Sequence, residues 1–249
     1  MNEKFGNIKG LIFDYGGTLD SEGRHWSYIL REGLKAAGTE CGDDSWKDAY
    51  VFAERALAKE RIILAQDTFR DVMLKKIGIE ISRLIETGAI ALPESEKAEC
   101  ITKAAEYCYR YAANCIERSR NALEKLGGFK MVLVTNFYGN MHSVLKDFKL
   151  DFFRDIIESS CVGVRKPDPQ IYRLGVESLG IAAGNTVVIG DSYDKDIIPA
   201  SLIGCKTIWL KGEGWGNPPK DTSAADAVIT SISQLPQTLG QICAERWVR

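Results

Sequence analysis

Short apolar runs that end in polar or glycine-rich turns recur along the chain, mostly in its second half. They lie at residues 8–14, 131–135, 186–191, 207–210 and 227–229. Between the later runs, apolar residues recur at the three- and four-residue spacing of amphipathic helices, over residues 140–148, 168–180 and 194–203. Strands that alternate with helices build βαβ units, so this part of the chain predicts an α/β fold with a parallel sheet.

Residues 20–118 show a different pattern, because no strand-like run of comparable strength interrupts them. Their apolar residues keep helical spacing over four stretches, at 24–37, 44–64, 67–87 and 94–125. The last stretch is expected to end at Gly127-Gly128, since glycine commonly terminates helices. We therefore predict a core domain made of residues 1–19 and 119–249, with a helical domain, residues 20–118, inserted into it.

Composition narrows the class of protein. The 249 residues are 45% hydrophobic and 27% charged, with a net charge of −2, so no basic field indicates binding to nucleic acid. No apolar run approaches the roughly 20 residues of a membrane span, and Asp14 interrupts the first run before a signal-peptide core could form. A cytoplasmic protein without a membrane partner is expected.

The cysteines favour a structural interpretation. There are seven, and none form a CxxC pair. Cys100, Cys108 and Cys115 have a spacing that places them near one face of a helix, where small buried hydrophobes are expected rather than metal ligands.

Two of the segments that follow predicted strands carry carboxylates. Asp14 ends the first run and is followed by Gly16-Gly17, a turn in which bare amides can approach a ligand closely. Asp191, Asp194 and Asp196 follow the run at 186–191, and carboxylates are oxygen ligands that suit Mg²⁺. A capping Asp or an acidic helix start is the structural alternative, and the close spacing of the acidic groups favours a metal site.

Two further segments carry neutral polar or basic groups. Thr135-Asn136 ends the second predicted strand, and a hydroxyl there can bind a phosphate oxygen, although ordinary turn chemistry accounts for the pair equally well. Lys166 precedes Pro167 and can offer a compact positive charge to a phosphoryl group, whereas a surface lysine is the commoner explanation. Asp168-Pro169 predicts a helix start with Asp168 as the N-cap.

Together these four segments resemble, in order and in type, the four motifs of the haloacid dehalogenase-like (HAD) hydrolases, over Ile8 to Gly204. The resemblance implies a Rossmann-like three-layer α/β core with a parallel sheet, plus an α-helical cap domain inserted between the first two motifs. It also implies Mg²⁺-dependent transfer of a phosphoryl group from a small phosphorylated substrate to a nucleophilic aspartate. The implied catalytic residues are Asp14 and Lys166; the implied substrate-binding residues are Gly17, Thr135, Asn136 and Lys166; and the implied metal ligands are Asp14, the Gly16 carbonyl, Asp191 and Asp196.

One position departs from the family pattern. Phosphatases of the family carry a general acid–base Asp two residues after the nucleophile, and Gly16 stands there instead. General acid–base catalysis is worth about 10² to 10⁴ in rate, so hydrolysis of alkyl phosphates is expected to suffer most. Asp20 or His25, at the start of the predicted cap, could replace the missing group.

Three functions remain open from the sequence. A phosphohydrolase ranks first, a catalytically weakened protein that binds a phosphometabolite or a protein partner ranks second, and cleavage of C–P or C–halogen bonds ranks third. Phosphonate hydrolases of the family use a cap lysine, for which several candidates exist on helical faces expected to be solvated: Lys35, Lys47, Lys59, Lys75 and Lys76.

The glycine-rich segment 211–219 follows a predicted core strand. Its composition is typical of a flexible connection, in which Trp215 could close against a ligand. No heptad pattern is present, so the oligomeric state stays open.

Overall fold

The protein is described by a computed structural model that covers residues 8–244, with side chains described for residues 8–241. Within this range one sheet contains six strands: β1 (Gly10–Phe13), β2 (Lys130–Thr135), β3 (Asp155–Glu158), β4 (Thr186–Gly190), β5 (Lys206–Leu210) and β6 (Ala227–Ile229). Their order across the sheet is β3-β2-β1-β4-β5-β6, and every neighbouring pair is parallel. The first strand is therefore central, flanked by β2 and β4.

Helices connect these strands, and one helix follows the last strand. They are α1 (Trp26–Ala36), α2 (Asp43–Lys59), α3 (Phe69–Glu86), α4 (Glu94–Glu124), α5 (Met141–Asp147), α6 (Ser159–Val162), α7 (Gln170–Leu179), α8 (Ile198–Leu202) and α9 (Leu235–Ala244). A π-helical turn, Tyr193–Ile197, leads directly into α8. No helix of the described range is long and apolar enough to span a membrane.

The predicted fold class is confirmed: a parallel sheet with flanking helices forms a Rossmann-like α/β core, and four long helices follow β1 in the chain. The apolar runs predicted as strands overlap β1, β2, β4, β5 and β6, and the ends of each run lie within two residues of the ends of its strand. We did not predict β3, an edge strand of sequence DIIE, whose first residue is exposed and which offers only two apolar side chains.

Two predicted helices differ in detail. The stretch 194–203 is divided between the π-turn and the short helix α8. Asp168 does accept a hydrogen bond from the backbone N–H of Gln170, at 2.9 Å, although Pro169 occupies the N-cap position of α7 itself.

The chain divides into two compact units. The first comprises the described parts of 1–25 and 150–249 together with 115–137, and the second comprises 26–114 and 138–149. The second unit thus includes α5, which follows β2 in the chain. The predicted division into a core and a helical domain stays a prediction.

Each unit has its own core. In the first, aliphatic side chains of β1, β2 and β4 pack with α7, among them Ile12, Val132 and Val188. Burial of such side chains is the main favourable term in folding. In the second, the indole N–H of Trp46 donates to Ser27, and Thr68 and Asp71 form a capping box at the start of α3.

The prediction for the cysteines is confirmed in its main point. Cys100, Cys108 and Cys115 all lie on α4 as buried free thiols. Burial raises the pKa of Cys115 to about 12 and raises that of Cys108 further, so both thiols stay protonated at neutral pH.

Candidate active site

The site lies where β1 and β4 end side by side. Asp14 follows β1, and its backbone N–H donates to the carbonyl of Ile189 at 2.9 Å, which extends the strand pairing by one residue. Asp191 follows β4 directly. The hydroxyl of Thr18 lies 3.0 Å from Asp14 Oδ2 and 3.1 Å from Asp191 Oδ1, and it accepts from the backbone N–H of Asp191. One hydroxyl therefore ties the two carboxylates together at the carboxyl edge of the sheet, where open parallel sheets bind ligands.

Lys166 brings a positive charge to the same place. Its Nζ lies 2.5 Å from Asp14 Oδ1 and 2.7 Å from Asp196 Oδ1, and only 3% of its side chain is exposed. The side chain of Asn136 holds the backbone of Lys166 in both directions, since its Oδ1 accepts from the N–H and its Nδ2 donates to the carbonyl. The structure thus gives Asn136 a clear role in fixing Lys166, and its predicted contact with substrate stays a prediction.

Asp196 is held from several directions. Besides Lys166, the hydroxyl of Tyr172 donates to its Oδ1 at 2.7 Å and the backbone N–H of Ser192 donates to its Oδ2 at 3.0 Å. Sequence reasoning missed Tyr172. The only signal was its place on the buried face of α7, where an aromatic side chain is usually just a core residue.

Gly16 and Gly17 differ in whether the structure has room for a side chain at their positions. Gly17 has a φ of +98°, and a Cβ there would lie 2.4 Å from Asp191 Oδ1, so a side chain would collide with that carboxylate. A Cβ on Gly16 would meet nothing within 4 Å. Asp20 Oδ1 accepts from the Gly17 N–H at 2.7 Å and is buried, so in this structure Asp20 stabilises the loop.

Burial and mutual repulsion perturb the acids of this site. Burial is the largest cause that raises the pKa of Asp14 to about 6, against the lowering effect of Lys166. Burial also raises the pKa of Asp191 well above its ordinary range, and the neighbouring charges of Asp14 and Asp196 add to it. For Lys166, burial lowers the pKa, but the carboxylates of Asp14 and Asp196 outweigh it and the pKa is raised. Two buried carboxylates and a half-buried one thus lie near a single ammonium group.

The excess of carboxylates over ammonium groups at this site bears on whether a metal ion fits there. Asp14, Asp191 and Asp196 each offer a carboxylate oxygen, and these oxygens lie within 4.8 Å of one another. A hard divalent cation takes oxygen ligands and would offset the surplus negative charge that burial makes costly. The donor set and its charge therefore fit Mg²⁺.

The predicted site residues now have positions. Asp14, Gly17, Lys166, Asp191 and Asp196 come together at one edge of the sheet. Thr135 is the buried last residue of β2, and Gly16 lies in the loop after Asp14. The catalytic, substrate-binding and metal-binding roles assigned to these residues stay predictions.

The helical unit contains a second buried lysine. Lys76 on α3 forms an ion pair with Glu54 on α2, and its Nζ lies 4.8 Å from the centre of the Tyr50 ring. The expectation that Lys76 lies on a solvated face is wrong, because only 4% of the residue is exposed. Burial lowers its pKa, but Glu54 and Tyr50 outweigh burial and leave the pKa well above its ordinary range. A permanently charged ammonium is a poor nucleophile for a Schiff base.

Comparison with known proteins adds family evidence. A model of the family described as haloacid dehalogenase-like hydrolase matches residues 8–204. Glyceraldehyde 3-phosphate phosphatase of Methanocaldococcus jannaschii is 34% identical over 230 residues, which cover 92% of this chain and 95% of that protein. Phosphoglycolate phosphatase of Neisseria gonorrhoeae is 32% identical over 124 residues, 47% of this chain and 52% of that protein.

Solved structures share the fold. The HAD-hydrolase YfnB of Bacillus subtilis, bound to magnesium, has a TM-score of 0.58 at 21% identity and covers 94% of this chain and 99% of its own. A dehalogenase solved as an intermediate complex has a TM-score of 0.59 at 17% identity, with 93% and 97% of the two chains covered. At these identities the likeness concerns the fold alone.

Proposed function

This chain belongs to the haloacid dehalogenase-like hydrolases, and we propose that it is a Mg²⁺-dependent phosphohydrolase acting on a small phosphorylated metabolite through Asp14. The arrangement around Asp14 carries the proposal: a buried carboxylate that bonds to Lys166 through one oxygen and to Thr18 through the other. The relative from Methanocaldococcus jannaschii, named for a small phosphorylated sugar, supports a substrate of similar size.

Asp14 would act as the nucleophile. Its carboxylate attacks phosphorus, the bond from phosphorus to the leaving oxygen breaks, and an aspartyl-phosphate results. Water then attacks that phosphorus, which returns Asp14 as a carboxylate and releases inorganic phosphate. Lys166 would hold a phosphoryl oxygen, so that the negative charge developing there meets an ammonium already fixed in place.

The remaining polar groups would support these two. Asp14, Asp191 and the carbonyl of Gly16 would hold Mg²⁺, which when bound offsets the charge of the phosphate and the carboxylates. Asp196 already accepts from Lys166, Tyr172 and Ser192, so we assign it the task of orienting Lys166. Thr135 is the proposed contact of the phosphoryl oxygens, whereas the Gly17 N–H, the other predicted contact, already donates to Asp20 Oδ1.

Gly16 limits the choice of substrate. Without a carboxyl group at this position, the loop offers no proton to the leaving oxygen, and Asp20 is engaged with the Gly17 N–H. The loss is worth about 10² to 10⁴ in rate. Phosphates whose leaving group is already a weak base, such as acyl and aryl phosphates, should therefore react faster than alkyl phosphates.

The test compares three proteins: the wild type, Asp14→Asn as the background, and Gly16→Asp. A Cβ on Gly16 meets nothing within 4 Å and its φ is not positive, so aspartate should be accommodated. We expect Mg²⁺-dependent hydrolysis of 4-nitrophenyl phosphate by the wild type, none above background by Asp14→Asn, and a gain of about 10² on alkyl phosphates in Gly16→Asp. Mass spectrometry should detect phosphate on Asp14.

Equal inactivity of all three proteins with Mg²⁺ present would contradict the proposal. Binding of a phosphometabolite by the wild type without any phosphorylated Asp14 would then favour the non-catalytic alternative.

A further inference from the structure

The chain leaves the catalytic loop through a short strained segment, Ser21–His25, here called the exit segment. Glu22 has a φ of +55°, a left-handed conformation that residues other than glycine rarely adopt, and Gly23 follows with a φ of +82°. Such backbone persists only where surrounding contacts enforce it, and it concentrates at functional sites. Here Glu22 is held by both oxygens, since Arg118 Nε donates to one at 2.7 Å and the Ser231 hydroxyl to the other at 2.5 Å.

Gly212, Glu213 and Trp215, which follow β5, contact the exit segment and are together called the clasp. A Cβ added to Gly212 would lie 2.4 Å from the carbonyl oxygen of Gly23, and a Cβ added to Gly23 would lie 2.9 Å from Cα of Gly212. The two backbones are therefore in direct contact, at a distance that only glycine permits on either side.

Three further contacts join the same two segments. Arg24 Nε donates to Glu213 Oε2 at 2.8 Å, and the backbone N–H of His25 donates to the Glu213 carbonyl at 2.9 Å. The ring of Trp215 stacks on His25 with 5.0 Å between the ring centres. The glycine-rich composition that suggested a flexible connection thus belongs to a segment with specific partners.

The exit segment is bonded in turn to the catalytic loop. The backbone N–H of Gly23 donates to the carbonyl of Gly17 at 2.6 Å. Gly17 packs so closely on Asp191 that it has no room even for a Cβ. A displacement of Gly23 would therefore be transmitted to Gly17, whose amide and Cα border the acids of the site.

We propose that the clasp is a positioning element of the active site, which holds Gly17 against Asp191 by gripping Gly23. The assignment of a catalytic consequence rests on the proposed function, whereas the mechanical link does not. Because a misplacement of about 1 Å in an active site can cost about 10² in rate, a small shift of Gly17 should affect turnover strongly.

The experiment compares Gly212→Ala with Gly214→Ala in the full-length chain. Alanine at 212 collides with the Gly23 carbonyl, whereas a Cβ at 214 meets nothing within 4 Å. We expect Gly212→Ala to lower kcat for 4-nitrophenyl phosphate by about tenfold or more while KM stays within about threefold. Amide hydrogen exchange over residues 14–25 should become about tenfold faster, with exchange in β2 and β4 unchanged. Gly214→Ala should match the wild type in all three readouts.

Two results would overturn the proposal. One is wild-type exchange over residues 14–25 together with wild-type kcat in Gly212→Ala. The other is an equal rise of exchange throughout the sheet, which would make the clasp a general structural support. If Gly212→Ala does not fold, the double variant Glu213→Ala, Trp215→Ala removes the Arg24 ion pair and the stacking on His25 without a collision, and the same two patterns decide. Absence of phosphatase activity in the wild type would contradict the proposed function, and the exchange comparison would still decide on the clasp.

Discussion

Among the residues that the structure describes, each unit buries one lysine, and the two lysines meet different carboxylates. Lys166 in the first unit and Lys76 in the helical unit are 5% and 4% exposed. Lys166 meets two carboxylates that are themselves buried, Asp14 and Asp196. Lys76 pairs with Glu54, whose side chain is 40% exposed and remains partly hydrated. In the first unit, the two buried carboxylates depend on Lys166 for a compensating charge. In the second unit, water also solvates the carboxylate of Glu54.

Each unit also contains a further acidic residue near its lysine, Asp191 in the first and Glu80 in the second, and the surroundings of these two acids differ. Asp191 lies beside Asp14 and the Thr18 hydroxyl, in a set of oxygens that suits a cation. Glu80 on α3 is fully buried, and neither of its carboxylate oxygens has a hydrogen-bond partner among the residues described. Burial is the main cause that raises the pKa of Glu80 to about 8, so a proton neutralises it at pH 7. Asp191 therefore lies among oxygens that suit a cation, whereas a proton neutralises Glu80.

The largest expected effect comes from replacing each lysine by methionine, which keeps much of the length and removes the charge. Lys166→Met should lower phosphatase activity by about 10³ or more, because it removes the charge that we propose stabilises the phosphoryl group, and it leaves Asp14 and Asp196 without their cation. Lys76→Met is the matched control and should retain activity within about threefold. Steady-state kinetics measures both. A comparable loss in Lys76→Met would contradict the comparison and favour a Schiff-base mechanism instead.

The next effect is a dependence of stability on pH that arises from Glu80. Its pKa in the folded protein, about 8, lies above the ordinary glutamate value of 4.5, so the folded state binds the extra proton between these values. Stability is therefore greatest at low pH on this account and is lost as the pH rises through about 8. The loss should be about 3 kcal/mol between about pH 6 and about pH 8, at about 1.4 kcal/mol per pH unit.

Urea unfolding at several pH values measures this loss. Glu80→Gln should flatten the dependence, while Glu96→Gln, at an exposed position of α4, should keep it. An unchanged slope in Glu80→Gln would show that Glu80 is not the group that titrates.

A smaller effect concerns the cation. Mg²⁺ should stabilise the wild type by about 2.7 kcal/mol at a hundredfold excess over its dissociation constant. Asp191→Asn should abolish this gain, yet be more stable than the wild type in EDTA, because it removes the repulsion between Asp191 and the neighbouring carboxylates of Asp14 and Asp196. Thermal unfolding with and without Mg²⁺ measures both. If Asp191→Asn is stabilised by Mg²⁺ as strongly as the wild type, Asp191 is not a ligand.

The smallest effect is expected from Tyr172→Phe, which removes one hydrogen bond to Asp196. A hydrogen bond to a charged group contributes about 1.5 to 3 kcal/mol, so unfolding should become easier by about 1.5 kcal/mol. Because Asp196 then holds Lys166 less firmly, kcat should fall by a few-fold while KM changes little. A change in KM with kcat unaffected would contradict a positioning role for Tyr172.

The sequence predicted the structure correctly where the residues of a single segment determine the structure of that segment. The runs that became β2 and β4 are apolar because both faces of a central parallel strand are buried. The edge strand β3 lacked that signal. The acids at 14 and 191 could be placed near each other because the strands of a parallel sheet end at the same edge.

Contacts between distant segments were beyond such reasoning. In sequence, Lys76 and Glu80 form an ordinary i, i+4 pair of a surface helix, and only the packing of α2 against α3 shows that both are buried. Likewise, nothing local to residues 211–219 indicates that Gly212 contacts Gly23. The hydroxyl of Tyr172 reaches Asp196 only because α7 packs against the sheet.

The central position of β1 has a consequence for how the protein folds. Gly10 pairs with Lys130 on one side and with Thr186 on the other, so β1 waits for partners that are synthesised much later. Contacts of such large sequence separation slow folding, because a long loop must close before they form. A nascent chain that has not yet emerged beyond β4 leaves one side of β1 without its hydrogen-bonding partner. During synthesis, Asp14 and Asp191 can therefore come together only after β4 has been made.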